Sequence, residues 1–237
     1  GVGSYRTGSR SDAIAGGLVF ETTALADHRL SVRLDERFER FAHRDYGEEA
    51  LPSPAHRFAT GVALSDEWTP IRPLRLVPAL RLTEHHAAFG GGRIPGRAET
   101  VAPRTSDDLF VQPSLGARLD LGHGLVSRLN LGRYVRAPDL SELFGDRGAA
   151  MGNPDLRPEV SWNADAGLSW QLENRRALDL LRIDGAVFAS RVRDLIAYVQ
   201  NSQNTVRPEN VARAEIAGAE ASTRLSVAEI ATFTANY

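Results

Sequence analysis

The chain has 237 residues, a net charge of −2 and no cysteine. The lack of cysteine excludes disulfides, thiol catalysis and thiolate metal sites, and the near-zero net charge gives no general attraction to nucleic acid. No apolar run approaches the ~20 residues of a membrane helix, which excludes a helical membrane protein but not a membrane β-barrel.

A period of two dominates the sequence, because apolar and polar residues alternate over long segments. From residue 108, the odd positions through Leu121 are apolar, whereas most even positions through Asp120 are polar or small. This pattern predicts a strand with one apolar and one polar face. Its length exceeds the five or six residues of a usual soluble strand and suits a tilted membrane strand, which needs ~9–11 residues inside lipid.

The same pattern predicts ten strands along the chain. They cover residues 11–23, 28–41, 55–67, 72–85, 107–121, 125–136, 160–172, 177–199, 210–224 and 228–237. Short turns are predicted near 25–28, 67–72, 122–124, 173–176 and 226–228, and long connections at 44–54, 85–105, 138–159 and 200–210. Alternating short periplasmic turns and long extracellular loops are typical of bacterial outer-membrane barrels. The sequence therefore predicts an all-β fold, namely about ten strands of an antiparallel transmembrane β-barrel.

Irregularities are predicted at three places. Pro78 and Pro113 lack the backbone N–H that a central strand donates, so both are interpreted as bulge sites. Arg213 and Glu215 are at odd positions and Glu220 is at an even one, so strict alternation would place these charged residues on opposite faces. A further bulge is therefore predicted near Gly218.

Polar faces of such strands would line the interior of a barrel. The candidate interior residues are Arg75, Arg81, Arg118, Asp120, Arg128, Asn130, Arg182 and Asp184. Two roles are open: contact with a plug domain or an anionic ligand, and simple cross-strand charge pairing. Pairing is favoured for most of them because arginine and aspartate interleave.

Aromatic residues fall near the predicted strand ends, where outer-membrane barrels carry aromatic girdles. They are Tyr134, Trp162, Trp170, Phe188 and Tyr198. Parity assigns only some of them to the apolar face, and it gives no convincing position for Phe188.

The remaining candidate sites are weak. His85 and His86 are adjacent on a strand and point to opposite faces, so they do not chelate one ion. The glycine-rich segment at residues 89–96 lacks the Lys-Ser/Thr of a phosphate-binding loop. No catalytic constellation is present, so the sequence predicts no enzyme, no cofactor and no metal site.

The connection after the sixth predicted strand has features of its own. Residues 139–144 form a helical turn between Pro138 and Gly145, and prolines at 154 and 158 hold their neighbours extended. This composition predicts a stiff loop that folds back on the rim of the barrel, with a structural role favoured over ligand contact.

The segment from Tyr134, YVRAPDLSELFGDRGAAMGNPDLRPEVSW, resembles the signature of TonB-dependent outer-membrane receptors. The matching positions are Arg136, Ala137, Pro138, Glu142, Leu143, Phe144, Gly152, Asn153, Pro154, Leu156, Pro158 and Glu159. Downstream, NVARAEIAGAEAS resembles a second family strand through Asn210, Ala214, Ile216, Gly218 and Glu220. Together these motifs cover roughly residues 107–237, and residues 1–106 match only in general pattern.

This resemblance implies a receptor for a scarce chelate, either an iron–siderophore or cobalamin, in the outer membrane of a Gram-negative bacterium. The family barrel has about 22 strands and a plugged lumen. The chain is accordingly expected to be a fragment of the barrel domain, without the plug domain and the C-terminal strands. The implied partners are outer-membrane lipid, the plug domain and, through it, the TonB energy-coupling complex, with no nucleic acid.

Two other functions remain open at this point. A passive outer-membrane pore or an adhesin barrel would show the same strand pattern without a plug domain. A soluble β-sandwich would bury the leucine-bearing faces against a second sheet, and the long strands argue against it.

Overall fold

A computed structural model describes residues 7–45, 54–93, 100–145, 150–175, 178–202, 205–228 and 230–237. The elements in chain order are β1 (Thr7–Thr22), β2 (His28–Asp45), β3 (Ala55–Ile71), β4 (Leu74–Phe89), β5 (Gly92–Arg93), β6 (Thr100–Val101), β7 (Arg104–Gly122), β8 (Leu125–Arg136), α1 (Leu140–Phe144), β9 (Glu159–Arg175), β10 (Leu178–Ser202), β11 (Thr205–Val227) and β12 (Ala231–Asn236). Within these ranges, no helix is long and apolar enough to cross a membrane.

Ten of the strands form one antiparallel sheet, and the two-residue strands β5 and β6 pair separately. The order in the large sheet is β1-β2-β3-β4-β7-β8-β9-β10-β11-β12, so each strand pairs with its neighbours along the chain. In the part of the chain that the structure describes, β1 pairs only with β2 and β12 only with β11. The fold is thus an open, all-β sheet of ten strands, as predicted.

All ten predicted strands are present, and the short turns predicted near 25–28 and 122–124 lie where the pattern places them. The turn predicted at 67–72 lies later than expected, because β3 continues to Ile71 and β4 begins at Leu74. One predicted long connection is wrong. Residues 200–210 are mostly strand, because β10 continues to Ser202 and β11 already begins at Thr205. The loop after β8 stabilises this extension of the β10–β11 hairpin, since Ala150 forms a parallel bridge to Val206.

The strand register sorts the side chains onto two faces of the sheet. Arg75 lies opposite Arg118, which lies opposite Arg128, and this row belongs to the face that we call the polar face. The opposite side, the apolar face, carries Leu115 paired with Leu131. These leucines are 42% and 46% exposed, and no second sheet covers them among the described residues. The buried core that a β-sandwich requires is therefore absent from the described leucine-bearing face.

Neither proline forms the predicted bulge. The β4–β7 register runs without a shift through Pro78 opposite Leu115 and through Leu80 opposite Pro113. The prolines instead interrupt the ladder on their other side: the β3–β4 pairing omits Val77 and Pro78, and the β7–β8 pairing ends at Ser114, next to Pro113. The side chain of Gln112 substitutes for the missing pairing by accepting a hydrogen bond from the Val135 amide at 3.1 Å.

The bulge predicted near Gly218 is also absent, since β10 and β11 keep one register past Phe188 opposite Gly218. The Phe188 ring lies directly over this glycine: a Cβ on Gly218 would lie 2.5 Å from the Phe188 Cζ atom. Tyr134 similarly covers Gly132. An aromatic ring fits on the polar face at these points because the glycine beneath it has no side chain.

Trp162 and Trp170 lie on the apolar face, in register with Arg133 and Leu125 of β8. Eight residue steps separate Trp162 from Trp170 on β9. At ~3.3 Å per residue and a tilt of about 40°, the two tryptophans differ in height by about 20 Å, which fits within the ~25 Å apolar band of an outer-membrane barrel. Of the aromatic residues predicted to form girdles, these two have the required face, whereas Tyr134 and Phe188 do not.

An arginine on the apolar face would expose its charge to lipid. We expect Leu115→Arg and Leu131→Arg each to disfavour membrane insertion by ~2–4 kcal/mol. Equilibrium folding of the native-length protein into vesicles measures this effect. Ser114→Arg, one position away on the polar face, is the matched control and should insert normally; equal insertion of all three variants would contradict the assignment of faces.

Candidate functional site

The loop after β8 returns across the polar face at its upper end, where the long connections are. Phe41, Ala55 and Phe89 form one row of β2, β3 and β4 there. Phe144 of α1 stacks on Phe89 with a centroid distance of 4.5 Å and on Phe41 at 6.5 Å. With Leu140, these residues make a buried apolar cluster that fixes the helix to strands far from β8.

Arg136, the last residue of β8, joins both ends of the loop. Its Nε and Nη2 donate to the two carboxylate oxygens of Glu159 at 2.9 and 2.7 Å. Its Nη1 donates to Glu142 at 3.0 Å, and Glu142 also accepts from the Asp139 amide at 2.7 Å. Glu159 further accepts from the Ile196 amide at 2.7 Å. Three motif residues thus link β8, α1, β9 and β10.

The hydrogen bonds from Arg136 lower the pKa of Glu159, against the opposing effect of its partial burial. Hydrogen bonding to Glu159 correspondingly raises the pKa of Arg136. Both groups therefore remain charged over the physiological range, and a charge pair holds the loop over that range.

The start of the loop is anchored by a residue that the sequence analysis did not connect with it. Arg57 of β3 donates from Nη1 to the Pro138 carbonyl at 2.7 Å, and its Nε donates to Glu39 at 2.8 Å. Its side chain is 10% exposed. No local signal links residues 57 and 138, because they are 81 positions apart.

The second half of the loop packs against the α1 turn. A Cβ on Gly152 would lie 2.4 Å from the Phe144 carbonyl carbon, so only glycine allows this approach. Next to it, the Asn153 amide donates to the Glu142 carbonyl at 2.9 Å, and its Nδ2 donates to the buried Pro208 carbonyl at 2.9 Å. Asn153 thereby ties the loop to β11.

The remaining motif residues continue this attachment. Pro154 accepts a hydrogen bond from Arg104, Leu156 is buried, and Pro158 leads directly into β9. Asn210 pairs with both backbone groups of Arg157, accepting from the amide at 2.8 Å and donating to the carbonyl at 2.9 Å. The motif residues of the loop therefore hold it in place. Gly218, in the second motif, leaves the space that the Phe188 ring occupies.

The polar face below the loop carries the predicted interior residues. Arg81 of β4 pairs with Asp35 of β2 at 2.7 Å, which is a pairing between strands, whereas Arg182 pairs with Asp184 of its own strand at 2.8 Å. Asp120 has a local role, since it accepts from the Gly122 amide at 2.9 Å in the turn after β7.

A row of three arginines departs from this pairing. Arg75, Arg118 and Arg128 lie directly opposite one another on β4, β7 and β8. Arg75 reaches Glu67 at 2.8 Å. Arg118 and Arg128 have no ion pair with any residue that the structure describes. Because two of its three arginines are unpaired, this row has a surplus of positive charge. Like charges directly opposite one another in a sheet are destabilising.

A cavity of about 590 Å³ adjoins the row on the polar face. Arg128, Asp165, Asp184 and Glu220 line it, together with Asn130, whose Nδ2 donates to Asp165 at 2.8 Å. The cavity therefore offers both donors and acceptors next to the arginine row.

The histidines show no metal centre. His86 lies 2.5 Å from Asp107 on the apolar face, and the ring of His85 contacts Phe110 edge-on with a centroid distance of 4.9 Å. Over the described ranges, no cluster of three ligating side chains is formed. The glycine-rich segment at 89–96 falls partly outside the described residues.

A family model described as TonB dependent receptor-like, beta-barrel, matches residues 3–237. The chain belongs to the TonB-dependent receptors. No curated protein matches the sequence. Because this family consists of receptors, the expectation that the chain is not an enzyme is confirmed.

Solved receptor structures share the fold. The copper transporter OprC matches with a TM-score of 0.73 at 19% identity over 93% of this chain and 36% of its own. The Serratia marcescens hemophore receptor HasR, solved with its hemophore HasA and heme, matches with 0.69 at 15% identity over 98% and 43%. The siderophore receptor PirA from Pseudomonas aeruginosa matches with 0.67 at 18% identity over 97% and 40%. The chain thus spans about two fifths of the length of these receptors and forms part of a barrel wall.

The charge pair that holds the loop predicts a pH dependence. Because folding lowers the pKa of Glu159, its stabilising effect is present above the unfolded value near 4.5 and is lost as the pH falls through the folded value. We expect the Ile196 amide to exchange hydrogen faster, relative to its intrinsic rate, as the pH is lowered through this range. In Glu159→Gln, the exchange should be faster at neutral pH and lack this dependence; an unchanged profile would contradict the role of the pair.

The close approach at Gly152 predicts a steric effect. Gly152→Ala places a methyl group against backbone atoms that cannot move aside, and we expect a loss of about 1–3 kcal/mol in loop anchoring. Limited proteolysis of the loop at residues 137–158 measures it. Gly185→Ala is the control, since no atom lies within 4 Å of its added methyl group; equal cleavage of both variants would refute the packing argument.

Proposed function

We propose that the chain forms part of the barrel of an outer-membrane receptor of a Gram-negative bacterium, which takes up a scarce metal chelate. The family assignment and the exposed apolar face support this location. The two open edges of the sheet would pair with further strands of the same barrel, because unpaired backbone groups are not tolerated in lipid.

Energy for uptake would come through a plug domain inside the barrel and its contact with the TonB complex. The length of the matched receptors supports this proposal, since this chain covers only 36–43% of them. The plug domain and the remaining strands would then lie in the part of the receptor outside this chain.

The arginine row supports an anionic ligand. Arg118 and Arg128 lie side by side without a carboxylate partner among the described residues. An anionic chelate would relieve the repulsion between them, since guanidinium groups bind carboxylates and similar anions in bidentate geometry. This charge favours an anionic iron–siderophore over cobalamin, and the neighbour PirA is a siderophore receptor.

The proposal predicts that uptake depends on the unpaired arginines. We expect Arg118→Gln/Arg128→Gln to raise the half-saturating concentration of an anionic ferric chelate on the order of tenfold, which corresponds to about 1.4 kcal/mol. Uptake of radiolabelled ferric citrate and a panel of ferric siderophores by cells that depend on this receptor measures it. Arg182→Gln is the matched control on the same face, because this arginine is already paired with Asp184.

The same assay separates active uptake from a passive pore. Active uptake should stop when the proton gradient is dissipated or TonB is deleted, whereas flux through a pore would continue. Unchanged uptake in the double variant would contradict the role of the arginine row, and flux without TonB would favour a pore.

A further inference from the structure

A second group of arginines lies on the apolar face, where alternation predicts lipid-facing residues. Arg133 and Arg191 flank Trp162 in one row, and Arg191 pairs with Glu215 on β11. Arg193 lies opposite Arg213 in the next row towards the long connections. We call Arg133, Arg191, Arg193 and Arg213 the outer arginine cluster.

The outer arginine cluster is not neutralised by its own carboxylate. Glu215 lies 3.5 Å from Arg191 and 3.9 Å from Arg213, both long for ion pairs. The side chains of these two arginines are 55% and 52% exposed. Arg193 forms no ion pair within the described ranges. One carboxylate among four arginines leaves a local surplus of three positive charges.

This surplus is confined to one part of the apolar face. On β4 and β7, the same face carries Glu84 and the pair His86–Asp107 towards the long connections, so acidic groups prevail there. The charge is thus a property of β8 to β11, and a general enrichment of arginine along the rim does not explain it.

Below the outer arginine cluster, the sheet surface forms an apolar groove. Ala164, Ala189 and Ala217 lie in one row beside Leu131, and the small side chains leave a cavity of about 360 Å³. Arg191 stands at the upper end of this cavity. Alanines continue in the next row at 166 and 219. The groove therefore runs from the charged cluster into the apolar band.

We propose that the outer arginine cluster and the alanine groove bind a phosphate-bearing membrane lipid. The guanidinium groups would bind the headgroup phosphate, Trp162 would lie at the interface, and an acyl chain would fill the groove. Trp162 marks the upper limit of the ~25 Å apolar band, so the arginines lie at headgroup level in the leaflet on the side of the long connections. This inference rests on the proposed membrane location of the barrel.

Native mass spectrometry of the native-length receptor, delipidated in detergent, tests this site with bisphosphorylated lipid A as the probe. We expect wild type to bind the probe, and Arg191→Gln/Arg213→Gln to lower its affinity on the order of tenfold. Ala217→Phe, which fills the groove without changing charge, should also weaken binding. Arg40→Gln on β2 is the matched control, an arginine of the apolar face outside the cluster, and should bind as wild type does.

Two further probes identify the source of the phosphate. Dephosphorylated lipid A should bind weakly, and inorganic pyrophosphate should compete poorly because it gains nothing from the groove. Equal affinity of wild type and the double variant, or pyrophosphate binding as tight as that of lipid A, would overturn the lipid site. Wild type that fails to fold into vesicles would instead contradict the proposed membrane location.

Discussion

The structure depends on one constraint: a sheet one layer thick has to satisfy two different environments. Its strands are held by backbone hydrogen bonds to their neighbours, so stability along the sheet comes from the ladder rather than from a central core. Each side chain then belongs to one face only. Leu115 and Arg118 are three residues apart, yet they meet opposite surroundings. In the proposed barrel, lipid on one side and a polar interior on the other would explain why the alternation is so regular.

The buried apolar cluster of α1 is an exception that follows from the same constraint. Near the long connections the polar face carries Phe41 and Phe89, which would otherwise face water. The loop after β8 covers them with Leu140 and Phe144. Buried charges are paired in the same region, since Arg57 satisfies both Glu39 and the Pro138 carbonyl. The receptor thus has a local core where its loops leave the ladder.

The sequence could predict what depends on local spacing. Alternation identified the ten strands and their faces, and Pro138 with Gly145 identified the short helix between them. It could not predict contacts made across the fold. The extension of β10 and β11 depends on Ala150 pairing with Val206, and residues 205–210 do not themselves alternate.

Two features of the candidate sites could not be predicted from the sequence, because both depend on which residues lie opposite each other in neighbouring strands. Phe188 sits on the polar face because Gly218, its partner across the strands, provides the space, and the pairing of these residues is not encoded locally. The ion pairs of Arg81 and Arg182 were predictable from interleaved charges, whereas the unpaired state of Arg118 and Arg128 is visible only once the register is known.

The reach of the loop after β8 has a consequence for the order of folding. Phe144 and Pro138 bind to β2, β3 and β4, which are assembled from residues some 50 to 100 positions earlier in the chain. Contacts over such separations form late, because the intervening chain must first be ordered. We therefore expect the loop to dock after the strands that it contacts have paired, so that a docked loop would report that this part of the wall is assembled.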